Sequence, residues 1–238
     1  MKLAWAGALI PAALLMVGMS SAAAAGELRP YQARYRGIWN GMTVAVSDLT
    51  LEHTGDTWTF SSSSSPRGIG RLASGVFPPH QVSVVRVTGS GVQPLSYTSG
   101  GGQSGRAIDL RYDWDALRVT GTYEGTKVDQ PLTPDVQDEA SVQLALTVEL
   151  LAGRTPSSFR IIDGNGTRLY QFSRDGEATL QTRLGKIATV IYQSHKAHSP
   201  RTTRFWCASD RGYIPIKVEQ TRGSDDVQWT MEIESLTR

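Results

Sequence analysis

Apolar and polar positions alternate with a period of two along most of the chain, in short runs broken by Gly, Asp and Asn. That is the pattern of antiparallel strands with one buried face. Tyr31, Ala33 and Tyr35 share a face in the first run. In Met42–His53 the apolar parity changes from Val44 and Val46 to Leu49 and Leu51, which predicts a β-bulge near Ser47-Asp48. His53-Thr54-Gly55-Asp56 predicts a turn, after which Thr57–Ser64 carries Trp58 and Phe60 on one face. Strands are predicted again over Gln81–Thr88 and Val92–Tyr97, followed by a Gly-rich loop at Ser99–Gly105. Arg106–Tyr112 and Leu117–Tyr123 form a predicted hairpin around Asp113-Trp114-Asp115.

From Ser158 the pattern is a meander, with turns at Asp163-Gly164-Asn165-Gly166, Asp175-Gly176, Leu184-Gly185-Lys186 and Gly223-Ser224-Asp225. Its last strand places Val227, Trp229, Met231 and Ile233 inward, and Gln228, Thr230, Glu232 and Glu234 outward. Pro215, between Ile214 and Ile216, marks an edge or a bulge because it has no N–H for the ladder.

Two segments leave the period of two. In Pro66–Phe77, Ile69, Leu72, Ala73, Val76 and Phe77 follow helical spacing and predict a short buried helix, weakened by Gly68, Gly70 and Gly75. The stronger helix follows Thr133-Pro134-Asp135, with Asp135 as its cap, Asp138 and Glu139 in its first turn and Gly153 closing it. Ala140, Leu144, Thr147, Val148 and Leu151 line one face of it; the alternation of Val142, Leu144, Leu146, Val148 and Leu150 would also suit a strand. Caps and length decide for helix. About ten antiparallel strands without a linker cannot lie flat. The expected fold is one mainly β domain, a single curled antiparallel sheet (a half-barrel) with one or two helices in its concave face.

The first 25 residues do not belong to that domain. Lys2, the apolar stretch Leu3–Val17 and the small residues Ser20–Ala25 have the form of a secretory signal peptide cleaved before Gly26. Residues 26–238 then form the exported domain, expected to be periplasmic and soluble, with no Cys beside the cleavage site to carry a lipid anchor. Lys and Arg number 24 against 22 Asp and Glu, so nothing suggests a polyanion such as nucleic acid as partner. A lone Cys, Cys207, excludes an intrachain disulfide, and burial is its expected state in an oxidising compartment.

Candidate chemistry is thin. Gly68-Ile69-Gly70-Arg71-Leu72-Ala73 matches a dinucleotide-binding fingerprint by letter, but no βαβ unit surrounds it and no acidic residue follows at the required distance. There is no G-x-S-x-G elbow. His195 and His198 stand three apart, which on a strand puts them on opposite faces, so no metal site is expected. Catalytic residues and cofactors are expected to be absent.

Two features carry the functional reading. Trp58, Phe60, Tyr170, Phe172, Trp206 and Trp229 read first as core, and as the lining of a ligand cavity if helices fill the concavity incompletely. Between Glu177 and Asp210 there is no acidic residue, whereas Arg183, Lys186, Lys196, Arg201 and Arg204 are basic. That stretch reads as solvated strand edges, or as a patch for an anionic membrane surface or an acidic envelope protein.

Tyr31-x-Ala-x-Tyr35, Trp39-Asn40-Gly41, Tyr112-Asp113-Trp114, Gln137-Asp138-Glu139-Ala140-Ser141, Leu184-Gly185-Lys186 and Phe205 through Pro215 occur here in one order over nearly the whole exported chain. Together they resemble a proteobacterial family of exported proteins, domain of unknown function 3108, similar in architecture to the periplasmic lipoprotein carriers LolA and LolB. The resemblance implies a curved sheet facing helices, a place in the cell envelope, and a lipid or other hydrophobic ligand. It implies no catalytic residue. The alternatives are a structural or interaction protein with a helix-filled core, and a hydrolase of envelope components.

Overall fold

The alternation becomes one continuous sheet. The computed structural model describes residues 27–68, 80–100, 107–164, 166–223 and 226–238. Its strands are β1 (Tyr31–Trp39), β2 (Met42–Thr54), β3 (Thr57–Pro66), β4 (His80–Thr88), β5 (Gly91–Ser99), β6 (Ile108–Asp113), β7 (Arg118–Tyr123) and β8 (Thr126–Pro131). Then come β9 (Val136–Gln137), the helix α1 (Ser141–Leu151), and β10 (Ser158–Asp163), β11 (Gly166–Thr182), β12 (Gly185–Lys196), β13 (Arg201–Ala208), β14 (Ile214–Arg222) and β15 (Asp226–Thr237). The order across the sheet is β8-β7-β6-β5-β4-β3-β2-β1-β15-β14-β13-β12-β11-β10-β9, antiparallel throughout except for β9 beside β10. No helix among the described residues is long and apolar enough to cross a membrane.

Connectivity forces this sheet to curl. Its two outermost strands, β8 and β9, are separated by about 65 Å along the sheet at ordinary strand spacing. In the chain they are separated by four residues, which span at most about 18 Å. The ends therefore meet without pairing. Gln137 Nε2 instead donates to the Val92 carbonyl of β5 at 2.8 Å.

One rung of inward side chains crosses eight strands by register: Tyr31, Leu51, Phe60, Ser83, Tyr97, Leu110, Gly121 and Val128. Most of these are buried core residues. Helix α1 lies in the concavity, and nine of its eleven residues are buried. Being apolar almost all round, it has no solvent face, which is why its sequence also reads as a strand. Beyond the helix, the Gly153 and Arg154 N–H groups return to the Leu150 and Glu149 carbonyls in a Schellman motif, with Gly153 at φ +70°.

Several expectations are corrected. The bulge in β2 is at Val44, where the β1 register slips between Gly37 and Ile38, not at Ser47-Asp48. Ser47 faces inward because its hydroxyl bonds that of Ser64 at 2.7 Å, so a polar residue sits within the buried parity. Asp175-Gly176 is not a turn: β11 continues through it with a register shift, and Asp175 accepts from Arg204 Nε at 2.8 Å. In β15, register shifts at Gln228 and Glu234 interrupt the alternation: Trp229, Met231 and Ile233 face inward, Val227 is exposed, and Thr230 is buried on the opposite face. Asp135 does not cap α1; it pairs with Arg160 at 2.5 Å. Pro215 adjoins a bulge, between Trp206 and Cys207 in the β13–β14 register. Pro66 ends β3, and the helix predicted over Pro66–Phe77 falls on 69–77, outside the described residues, as do the leader and most of the Gly-rich loop.

The β11–β12 hairpin outruns its neighbour, since β12 pairs with β13 only from Thr189. Its free end bends back over the convex face. Arg183, in its turn, bonds Glu234 of β15 at 2.8 Å, three strands away in the sheet, and Ile187 is fully buried on the face it shares with Trp206.

Candidate functional site

The register sorts the open barrel into two rims. A proximal rim carries Tyr31, the β13–β14 connection and the C-terminal end of α1; a distal rim carries the β1–β2, β12–β13 and β14–β15 turns. Between them lies a polar centre built on Gln137-Asp138-Glu139. Asp138 is wholly buried, and its carboxylate accepts from the Ala140 and Ser141 N–H groups and from Ser83 Oγ at 2.7–2.9 Å. The Ser141 hydroxyl accepts in return from the Asp138 N–H at 2.9 Å. This reciprocal pair caps α1 in the place expected of Asp135.

Burial pushes the Asp138 carboxyl up to about 6, against the downward pull of those hydrogen bonds. Beside it, Glu139 accepts from Tyr123 Oη at 2.7 Å and from Tyr97 Oη at 3.4 Å, and Gln81 Nε2 donates to Tyr97 Oη at 2.8 Å. The phenol of Tyr112 has no hydrogen-bond partner among the described residues, and burial with the nearby Asp138 raises its pKa. Ser83 and Asp138 make a Ser–carboxylate pair with no histidine bonded to it; all four histidines of the chain are exposed. The pair's evident work is to seat the helix in the rung that Ser83 interrupts.

Five of the six aromatics share the inner face. Phe60 is buried in the rung. Phe172 is buried edge-on to Phe159, with ring centres 5.0 Å apart, and stacks on Phe205 at 6.3 Å. These two are plain core. Trp58 is half-buried and stacked on His53 at 4.1 Å near the proximal rim; Tyr170 and Trp229 are half-buried toward the distal rim. Trp206 is the exception. It alternates with inward Phe205 and lies on the convex face, where Lys217 Nζ sits 4.4 Å from its ring centre, so it lines no inner cavity.

The basic stretch does not form one patch. Arg183 and Arg204 are engaged by Glu234 and Asp175, carboxylates from outside the acid-poor stretch. Lys186 and Lys196 stand at opposite ends of β12, about 33 Å apart along the strand. Lys196, over Tyr170, and Arg201 are the two that reach the distal rim. Cys207 is fully buried and its thiol is pushed up to about 12, an inert state.

A cleft that the sequence pattern does not mark opens at the proximal rim, with a volume of about 330 Å³. Its walls are Leu28, Tyr31, Leu150, Leu151, Tyr213 and Ile214, and Arg29, Arg238, Glu27 and Ser209 lie around them. Thr147 Oγ1 ties the helix to the Tyr213 carbonyl at 3.4 Å, fixing one side of the cleft. The volume is at the lower end of small-molecule sites. A strand start, a helix end and the Gly212-Tyr213 turn build it together, so no local motif announces it.

The family model described as a protein of unknown function, DUF3108, matches residues 31–232. The fold is similar to that of a β-barrel-like protein of another domain of unknown function, DUF1849, from Brucella abortus. The two agree with a TM-score of 0.57 at 10% identity, over 90% of this chain and 99% of that one. The hypothetical lipoprotein YmcC from Escherichia coli aligns at a TM-score of 0.35 and 14% identity, over 87% of this chain and 85% of its own. No curated protein matches.

Proposed function

The chain belongs to the DUF3108 family of proteins of unknown function, and from that premise we propose that it is an exported envelope protein that binds a lipid or other apolar ligand within its curled sheet. The single observation that carries this reading is the apolar-walled cleft beside the C-terminal end of α1, in a concavity the helix otherwise fills. The leader-like first 25 residues supply the compartment. Binding is passive: each methylene buried contributes about 0.8 kcal/mol, and no covalent step is involved. A cleft of this size takes one chain or a short segment of one.

Native mass spectrometry of the processed protein, with lipid analysis of what it releases, tests the reading. A bound acyl species, or uptake of an apolar fluorescent probe that Ser209→Trp blocks by filling the exposed side of the cleft, supports it. A clean apo mass with no uptake overturns it and leaves a structural protein, its concavity permanently closed by α1.

A further inference from the structure

The apolar side chains left in solvent are not scattered. Of the five large ones among the described residues, Trp39 and Met42 flank the β1–β2 turn, Val227 follows the β14–β15 turn and Leu169 lies near the start of β11, and Leu117 is at the other rim. Four therefore gather at the distal rim, on projecting turns and strand ends rather than in a groove.

Charge on the same rim is arranged unusually. Arg201 and Arg222 are directly opposed across β13 and β14. Both are exposed, and neither forms an ion pair among the described residues, although Asp226 opposes Arg222 from β15. Like charges in opposed positions destabilise a strand pair, whereas an anion placed between two guanidinium groups is bonded by both. The Gly223 N–H donates to the Pro200 carbonyl at 2.8 Å, which holds the two turns and their arginines together.

We propose that the distal rim docks on an anionic lipid bilayer, with Trp39, Met42, Val227 and Leu169 entering the headgroup boundary and Arg201 with Arg222 bridging lipid phosphates. Tryptophan belongs at that depth, because its ring is apolar and its N–H stays wet. Cations near an anionic surface reinforce a shallow apolar contact. Separate projecting turns suit a fluid surface, which closes around each of them, better than the flat continuous face of a protein partner. This goes beyond the ligand proposal and stands without it.

The test is co-sedimentation of the processed protein at low salt with vesicles of phosphatidylcholine alone or with phosphatidylglycerol added. Binding is expected to the anionic vesicles and to fall as salt rises. Arg201→Gln with Arg222→Gln should weaken it about thirtyfold, and Trp39→Ser with Met42→Ser should also weaken it severalfold. Lys186→Gln, at the opposite rim, should change nothing. All four rim positions are exposed, and unchanged thermal unfolding confirms that each variant is folded. Failure of the unaltered protein to bind anionic vesicles overturns the proposal and assigns the rim to a protein partner. So does a Lys186→Gln loss as large as that of the arginine pair. The outcome is independent of whether the cleft takes up a probe.

Discussion

At the scale of single residues, Asp138 and Cys207, two of the buried groups whose pKa values are raised, behave differently because only Asp138 titrates in an accessible range. Asp138 is held near 6 by burial, against about 3.9 for an exposed aspartate. The folded state then binds the proton more tightly than the unfolded state does. Its contribution is fully present below about pH 4 and is lost as pH rises through 6, by an amount on the order of 3 kcal/mol. Urea unfolding of the native chain and of Asp138→Asn at pH values from 4 to 7 checks this. Asn can still accept from the Ala140 and Ser141 N–H groups, so the native chain should lose stability relative to the variant as pH rises across that window, and the difference should be flat above it. A parallel pair of curves would mean that Asp138 is not the titrating group. Cys207, pushed up to about 12 and wholly buried, should resist a thiol reagent in the folded protein and react once urea unfolds it. Labelling under native conditions would show that β13 opens locally.

Elements fail or succeed by how their backbones meet, and two glycines separate the cases. At Gly121, in β7, φ is +139° and an added Cβ would lie 1.9 Å from the Asp109 carbonyl oxygen of β6. At Gly153, φ is +70° but the space is open. Gly121→Ala should therefore cost about 3 kcal/mol or more, and Gly153→Ala about 1 kcal/mol; urea midpoints rank them, and equal losses would mean β6 and β7 part easily. Such contacts also explain what the sequence left unread. Hairpins at Gly55 and Gly185 were legible because a turn residue divides two alternating runs. Strand β8 was not: its sequence Thr-Lys-Val-Asp-Gln-Pro has one apolar residue, Val128, and its place is set by pairing with β7. Asp175-Gly176 has the letters of a turn, yet the ladder on both sides carries the strand through as a bulge. The face each aromatic takes was legible as parity within its strand, which put Phe172 and Trp229 on the inner face, but none of the six lines the cleft, and Trp206 was assigned with them although its parity opposes that of Phe205. The cleft joins residues from both chain ends and a helix terminus, so spacing along the chain carries no trace of it.

For the whole molecule, the sheet order has a mechanical consequence. The first and last strands, β1 and β15, pair in the middle, and the sheet's two ends come from the middle of the chain. A cut after Pro131 would thus leave two continuous meanders, β1–β8 and β9–β15, each with its local hairpins intact. What neither half keeps is a closed core. The first half loses α1 and the segment before it, whose Asp138 and Gln137 bond Ser83 and the Val92 carbonyl, and would present Phe60, Tyr97, Leu110 and Val119 to water. The second keeps α1, with nine buried residues, but loses β4 and β5 on which it lies. At roughly 1.5–3 kcal/mol for each large apolar side chain exposed, either loss exceeds the usual stability of a domain. The expected result is that fragments 26–131 and 132–238 show no cooperative thermal transition separately and regain one on mixing. If the first fragment folds by itself, the eight-stranded meander is an independent unit and α1 is an added plug. The cleft beside that helix would then belong to a joint between two units, able to open as the plug withdraws.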